Sequence, residues 1–166
     1  MARYHLAQFN VGRLRAPMDD PIMKGFKDQL DPINALADAA PGFVWRLQTA
    51  DGNATSIRPY ADDDRMAVNL SVWESLEALQ QFVYKSAHVG PLRDRRQWFE
   101  PIPEPILVLW WIPAGRIPSI VEAQARLETL RQRGPTSDAF TFRNPFRSPD
   151  GQPVEGLDAV FCGFAS

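Results

Sequence analysis

The chain has 166 residues, 45% of them hydrophobic and 23% charged, which is enough for one domain with its own buried core. Its formal net charge of -2 excludes binding to nucleic acid or to anionic membrane by bulk electrostatics. The single cysteine, Cys162, excludes an intrachain disulfide and a zinc site built on several thiolates.

The opening residues, MARYHLAQFN, carry no apolar stretch of signal-peptide length. The most apolar run, Ile106 to Ile112, is too short to span a bilayer. The expectation is a soluble cytoplasmic protein. Fifteen prolines mark the segment boundaries, and five tryptophans are available for core, interface or a flat ligand.

Tyr4 to Leu14 alternates as a strand, with Tyr4, Leu6, Gln8 and Asn10 on one face and His5, Ala7, Phe9 and Val11 on the other. A helix follows from about Ile22 to Ala39, with a break expected at Pro32 and Asp31 as a cap for its second half. Phe43 to Thr49 reads as a strand with Phe43, Trp45 and Leu47 on one face. Asp51-Gly52-Asn53 turns the chain, and Ala54 to Tyr60 extends a hairpin arm. Asp62-Asp63-Asp64 reads as a solvated charge run.

Met66 to Trp73 is a strand whose apolar face is Met66, Val68, Leu70 and Val72. Ser75 caps a helix running to about Val89, and a second helical piece covers Leu92 to Phe99. Pro101, Pro103 and Pro105 stiffen a connector into the strand Ile106 to Ile112. Trp110 and Trp111 must then point to opposite faces. Ser119 caps a last helix through Arg133, with Ile120, Ala123, Leu127 and Leu130 inward. Phe140 to Phe142 adds a short strand.

The order is βαββαβ plus a helical appendage. It specifies an α+β, ferredoxin-like half-barrel whose open sheet face must be covered, a second copy being one way to do so. The domain spans residues 1–146, including the helix 119–133, and 147–166 is a polar tail.

The stretch LSVWESLEALQQFVYKSAHVGPLRDRRQWF at 70–99 resembles the dimeric α/β-barrel superfamily of antibiotic-biosynthesis and heme-degrading monooxygenases. With LAQFNVGRLRAP and GPTSDAFTFRNPF, the chain is similar to an uncharacterised bacterial family of that superfamily over residues 3–146. The resemblance implies a homodimer with a small-molecule pocket between sheet and helices. It also implies working positions at Asn10 and His88. Heme-degrading relatives carry a tryptophan about three helical turns before the histidine, where this chain has Ala78-Leu79.

Tyr84 and His88 are four apart on one helix, so they share a face and can handle protons together. Asn10 can orient a carbonyl or a dioxygen-derived group. Trp73, Trp45, Asn69, Arg95, Arg96 and Trp98 make up the substrate-binding group, the arginines being suited to a carboxylate. The leading reading is a monooxygenase-like enzyme acting on a flat hydrophobic or aromatic molecule without a cofactor. The alternatives are a heme-binding protein with His88 as axial ligand, and a non-catalytic ligand-binding homodimer. With two histidines and no second cysteine, no other metal centre is expected.

Overall fold

The computed structural model describes residues 3–50, 52–55, 57–86 and 95–151. Strand β1 (Tyr4–Leu14) leads through a short 3-10 turn (Pro21–Met23) into helix α1 (Lys24–Asp38), then β2 (Phe43–Arg46) and β3 (Met66–Trp73). Helices α2 (Leu76–Ser86) and α3 (Arg95–Trp98) follow, then β4 (Phe99–Glu100), β5 (Leu107–Pro113) and α4 (Ile120–Arg133). The sheet is antiparallel in the order β2-β3-β1, and both β4 and β5 pair with the far edge of β1. This is the expected βαββαβ arrangement.

Period-two alternation along β1 gives the sheet two different faces. Register places Leu6, Gln8, Asn10 and Gly12 beside Trp73, Ser71, Asn69 and Ala67, on the face covered by α1 and α2. The other face carries Ala7, Phe9, Val11, Leu70, Val72, Val108 and Trp110. It packs against Ala123, Leu127 and Leu130 of α4, with Trp45, Leu47, Ile57 and Tyr60 at the margin. Trp110 and Trp111 do point to opposite faces, Trp110 beneath α4 and Trp111 on the α2 side.

The covering of that second face differs from expectation. The resemblance implies a second copy of the chain there, yet the chain's own α4 closes it. Phe9, Val108 and Trp110 are fully buried within a single chain. Within one chain this face is covered by α4. The helix read from sequence as an appendage is the second layer of the fold.

Three local expectations also change. Helix α1 runs through Pro32 unbroken, and Asp31 caps nothing; Asp20 caps the preceding turn by accepting from the Ile22 amide at 3.0 Å. Pro32 and Asp28 are both exposed, so water can take the Asp28 carbonyl that loses its helical partner. Residues 54–60 form no strand among the described residues. Phe43 and Trp45 do not share a face. A register shift between them pairs Phe43 with Trp73 but Trp45 with Val72, which reverses the alternation.

Helix α1 is tied to the sheet at its C-terminal end. The Arg46 guanidinium grips both oxygens of Asp38, at 2.7 and 3.1 Å, and also donates to the Gly52 carbonyl at 2.7 Å. That hydrogen bond, partly opposed by burial and aided by the charge of Arg46, holds the Asp38 carboxyl below its ordinary 3.8. Gly42, at φ +83°, lets β2 begin against α2, where an added Cβ would lie 2.5 Å from that of Ala78.

Two predictions test these layers. Leu127→Ala removes a fully buried side chain from beneath α4 and should cost about 2–5 kcal/mol in urea unfolding. A cost within experimental error of zero would mean that α4 does not seal the face. Asp38→Asn should destabilise by up to about 1 kcal/mol near neutral pH. A carboxyl with a depressed folded pKa contributes above its unfolded pKa and loses that contribution as pH falls through the folded value. The deficit of the variant should thus shrink below about pH 3.8, and a deficit independent of pH would contradict the pairing.

Candidate functional site

The helix-covered face is not uniformly apolar. One cluster gathers Leu6, Trp73, Leu76, Leu79 and Leu109 beneath α2. A second gathers Leu14, Met23, Phe26 and Trp98 where α1 begins and α3 ends. Between them the sheet presents a polar band made of Gln8, Asn10, Asn69 and Ser71. Asn69 is exposed and Asn10 half-buried, so the middle of this face is open where both ends are filled.

The band is ordered by a chain of hydrogen bonds. The Trp73 indole N–H donates to Ser71 Oγ at 3.0 Å, and the Ser71 hydroxyl donates to Gln8 Oε1 at 2.8 Å. Gln8 Nε2 then donates to Asn10 Oδ1 at 2.7 Å. Trp73, Gln8 and Ser71 are all buried, so the chain is desolvated over most of its length. It runs toward the open end, where Asn10 sits opposite Asn69 in the β1–β3 register.

A cation stands beyond that end. The Arg95 guanidinium lies 4.9 Å above the centroid of the Phe99 ring. The Phe99 ring in turn lies on Gly12, where an added Cβ would come within 2.5 Å of it. Gly12 is two residues from Asn10 on the same face, about 7 Å along the strand. Arg95 is half-buried, and among the described residues no carboxylate pairs with it. Burial alone lowers its pKa. A desolvated guanidinium without an anion leaves its donors for a ligand.

The predicted site residues divide accordingly. Asn10 and Asn69 sit opposite each other on the helix-covered face, and Arg95 lies over Phe99, whose ring rests on Gly12 of the same face. Trp73 is on the same face but only 1% exposed, wedged between Phe43 at 5.4 Å and the stacked ring of Phe82 at 5.1 Å. It cannot line an open pocket and reaches the band only through its indole N–H. Trp98 belongs to the core, packed on Phe26 and against Gly25. Trp45 lies on the opposite face, for the register reason already given. The Arg96 side chain is exposed, and its carbonyl accepts from Arg15 at 2.9 Å. Tyr84 is 52% exposed, away from the inner positions Leu79 and Val83 of its helix. His88 lies outside the described residues.

Gln8 and Ser71 share the polar strand faces of Asn10 and Asn69 and could orient the same group in a pocket, but they stand outside the expected site set. Their signal was present, since two polar residues occupied inward positions of central strands, where an unsatisfied group is costly. Two cavities among the described residues lie elsewhere. A cleft of about 530 Å³ on the α4 side is lined by Arg13, Met66, Ile102, Glu128, Arg131 and Gln132. A groove of about 170 Å³ between α1 and α2 is lined by Leu36, Ala40, Ala78, Phe82 and Ser86. The chemistry of unpaired donors, not volume, selects the polar band.

No group of three or more metal-ligating side chains occurs among the described residues. His5 faces away from the band, on the α4 side of β1, so the described residues place no axial ligand for heme on it. No described helix is long and apolar enough to cross a membrane.

Two solved structures are similar in part. One is SnoaB of Streptomyces nogalater, a cofactor-independent oxygenase solved as a point mutant. It has 15% identity and a TM-score of 0.42, covering 70% of this chain and 97% of that one. The other is NE2512 of Nitrosomonas europaea, a protein of unknown function. It has 12% identity and a TM-score of 0.42, with the same coverage. No curated protein matches. Residues 5–156 match the model of a family described as a domain of unknown function, DUF3291, and the chain belongs to that family.

Proposed function

We propose that the polar band on the helix-covered face is a small-molecule site, taking a flat, largely apolar molecule that carries an electron-rich oxygen. Two observations support this reading: the half-buried Asn10 amide lies on the stretch of the face between the two apolar clusters, and the Arg95 guanidinium, with no carboxylate partner among the described residues, lies over the Phe99 ring that rests on Gly12, two residues along β1. Both groups offer donors. The apolar clusters on either side suit a ring system, and the donors suit a carbonyl, enolate or carboxylate oxygen.

The reaction class we propose is monooxygenation without a cofactor, which the resemblance at residues 70–99 implies. Its balanced form converts an activated CH2 to a carbonyl. One oxygen atom of dioxygen enters the molecule and the other leaves as water with both hydrogens. Loss of the first proton puts negative charge on a conjugated oxygen, and Asn10 and Arg95 are suited to stabilise that charge. The proton acceptor is expected at His88. Each chain builds its own site, and a homodimer would form through surfaces outside the sheet.

Binding of 2-naphthoate, followed by calorimetry, tests the site. Asn10→Ala and Arg95→Gln should each weaken binding about 10-fold or more, the usual loss for a hydrogen bond to a charged group. Unchanged affinity in both would remove the site from this face. Oxygen uptake with anthrone, without added metal or flavin, tests the reaction, and it should fall at least about 10-fold in Asn10→Ala. Binding without uptake would leave a non-catalytic ligand-binding protein. A Soret band on heme titration that is lost in His88→Ala would favour the heme reading.

A further inference from the structure

The orientation of a side-chain amide is ordinarily ambiguous, because its oxygen and nitrogen can exchange places. Here the ambiguity is removed from one end. An indole N–H can only donate, so Ser71 Oγ must accept from Trp73. The buried Ser71 proton then has only Gln8 to accept it among the described residues, since Trp73 cannot, so the Gln8 atom facing it is the oxygen. The Gln8 NH2 is thereby turned toward Asn10, and the Asn10 atom facing it must also be the oxygen. Both N–H groups of Asn10 Nδ2 are left pointing away from the chain, and no described residue accepts from them.

We infer that Trp73 is a positioning residue that, by offering the Ser71 proton no acceptor, helps turn the Asn10 NH2 to the open end of the band, where it favours ligands that carry a hydrogen-bond acceptor. Trp73 touches no ligand itself. Its ring is locked by Phe43 and Phe82, so the direction of the chain is built into the core and does not depend on what binds. Reversing the Asn10 amide would bring its NH2 against the Gln8 NH2. Reversing both amides would leave the buried Ser71 proton with no acceptor among the described residues. The selectivity is therefore held by a buried donor two side chains removed from Asn10.

For the ligand, the inference rests on the small-molecule reading given above, and the experiment separates the two. Quinoline and indole are flat, neutral and similar in size, but quinoline only accepts and indole N–H only donates. Wild-type protein should bind quinoline about 10-fold more tightly than indole, the ratio expected from one satisfied against one opposed hydrogen bond. Trp73→Phe keeps a ring but removes the donor, and Ser71→Ala removes the relay with less disturbance of packing. Each should bring the ratio close to one, while Ser71→Thr, which keeps the hydroxyl, should retain it. An unchanged ratio in a folded Ser71→Ala protein overturns the inference.

Side-chain amide NMR of the ligand-free protein gives an independent reading. The Gln8 Nε2 protons should exchange slowly in the wild type, and the Gln8 and Asn10 amide signals should move in Ser71→Ala. If they stay in place, the relay does not exist. If they move but the wild type binds neither probe, the relay stands and the small-molecule reading fails.

Discussion

The structure depends on the central position of β1. It is paired along most of its length with β3 on one side and β5 on the other, and its strict alternation sorts side chains to two faces that are covered by different parts of the chain. Ala7, Phe9 and Val11 go to α4, and Leu6 and Leu14 go to the α1 and α2 side. A one-residue slip in this register would send the whole polar band under α4. The same pairing brings Gln8 against Ser71 and Asn10 against Asn69, so fold and candidate site have one origin.

Covering the second face from within has a functional side. In a half-barrel whose sheet waits for a partner, the integrity of the fold is tied to association. Here α4 supplies the missing layer, and β5 has its outer edge closed by Phe140, which exchanges hydrogen bonds with Leu109 at 2.8 and 2.9 Å. The sheet is thus held from behind, and its helix-covered face can keep an opening without loss of the core. An opening floored by satisfied amides costs little, because every buried member of the chain from Trp73 to Gln8 has a partner.

Much of this was legible in the residues. The alternation of β1 and β3 placed Asn10 and Asn69 together, and Ser119 and Gly134 marked both ends of α4. Three things were not legible. A helix with an apolar stripe states that it must be buried but not against which face, so α4 could be read as an appendage. A register shift leaves no mark in a four-residue strand, so Trp45 was assigned the wrong face. The helical spacing of Tyr84 and His88 gave a shared face without its direction, and Tyr84 is turned to solvent. Trp73 shows a different limit. Its position at the strand end was clear, but only the tertiary structure shows a buried donor acting through Ser71 instead of a ring lining a pocket.

The most direct measurement is a side-chain NMR titration of the protein with 2-naphthoate. The amide signals of Asn10 and Asn69 and the guanidinium signal of Arg95 should move together and saturate at one affinity, while those of Gln124 and Gln132 on α4 stay in place. Saturable shifts at Gln132, in the cleft beside α4, with Asn10 and Asn69 unmoved would put the ligand on the other side of the sheet and contradict a site at the polar band.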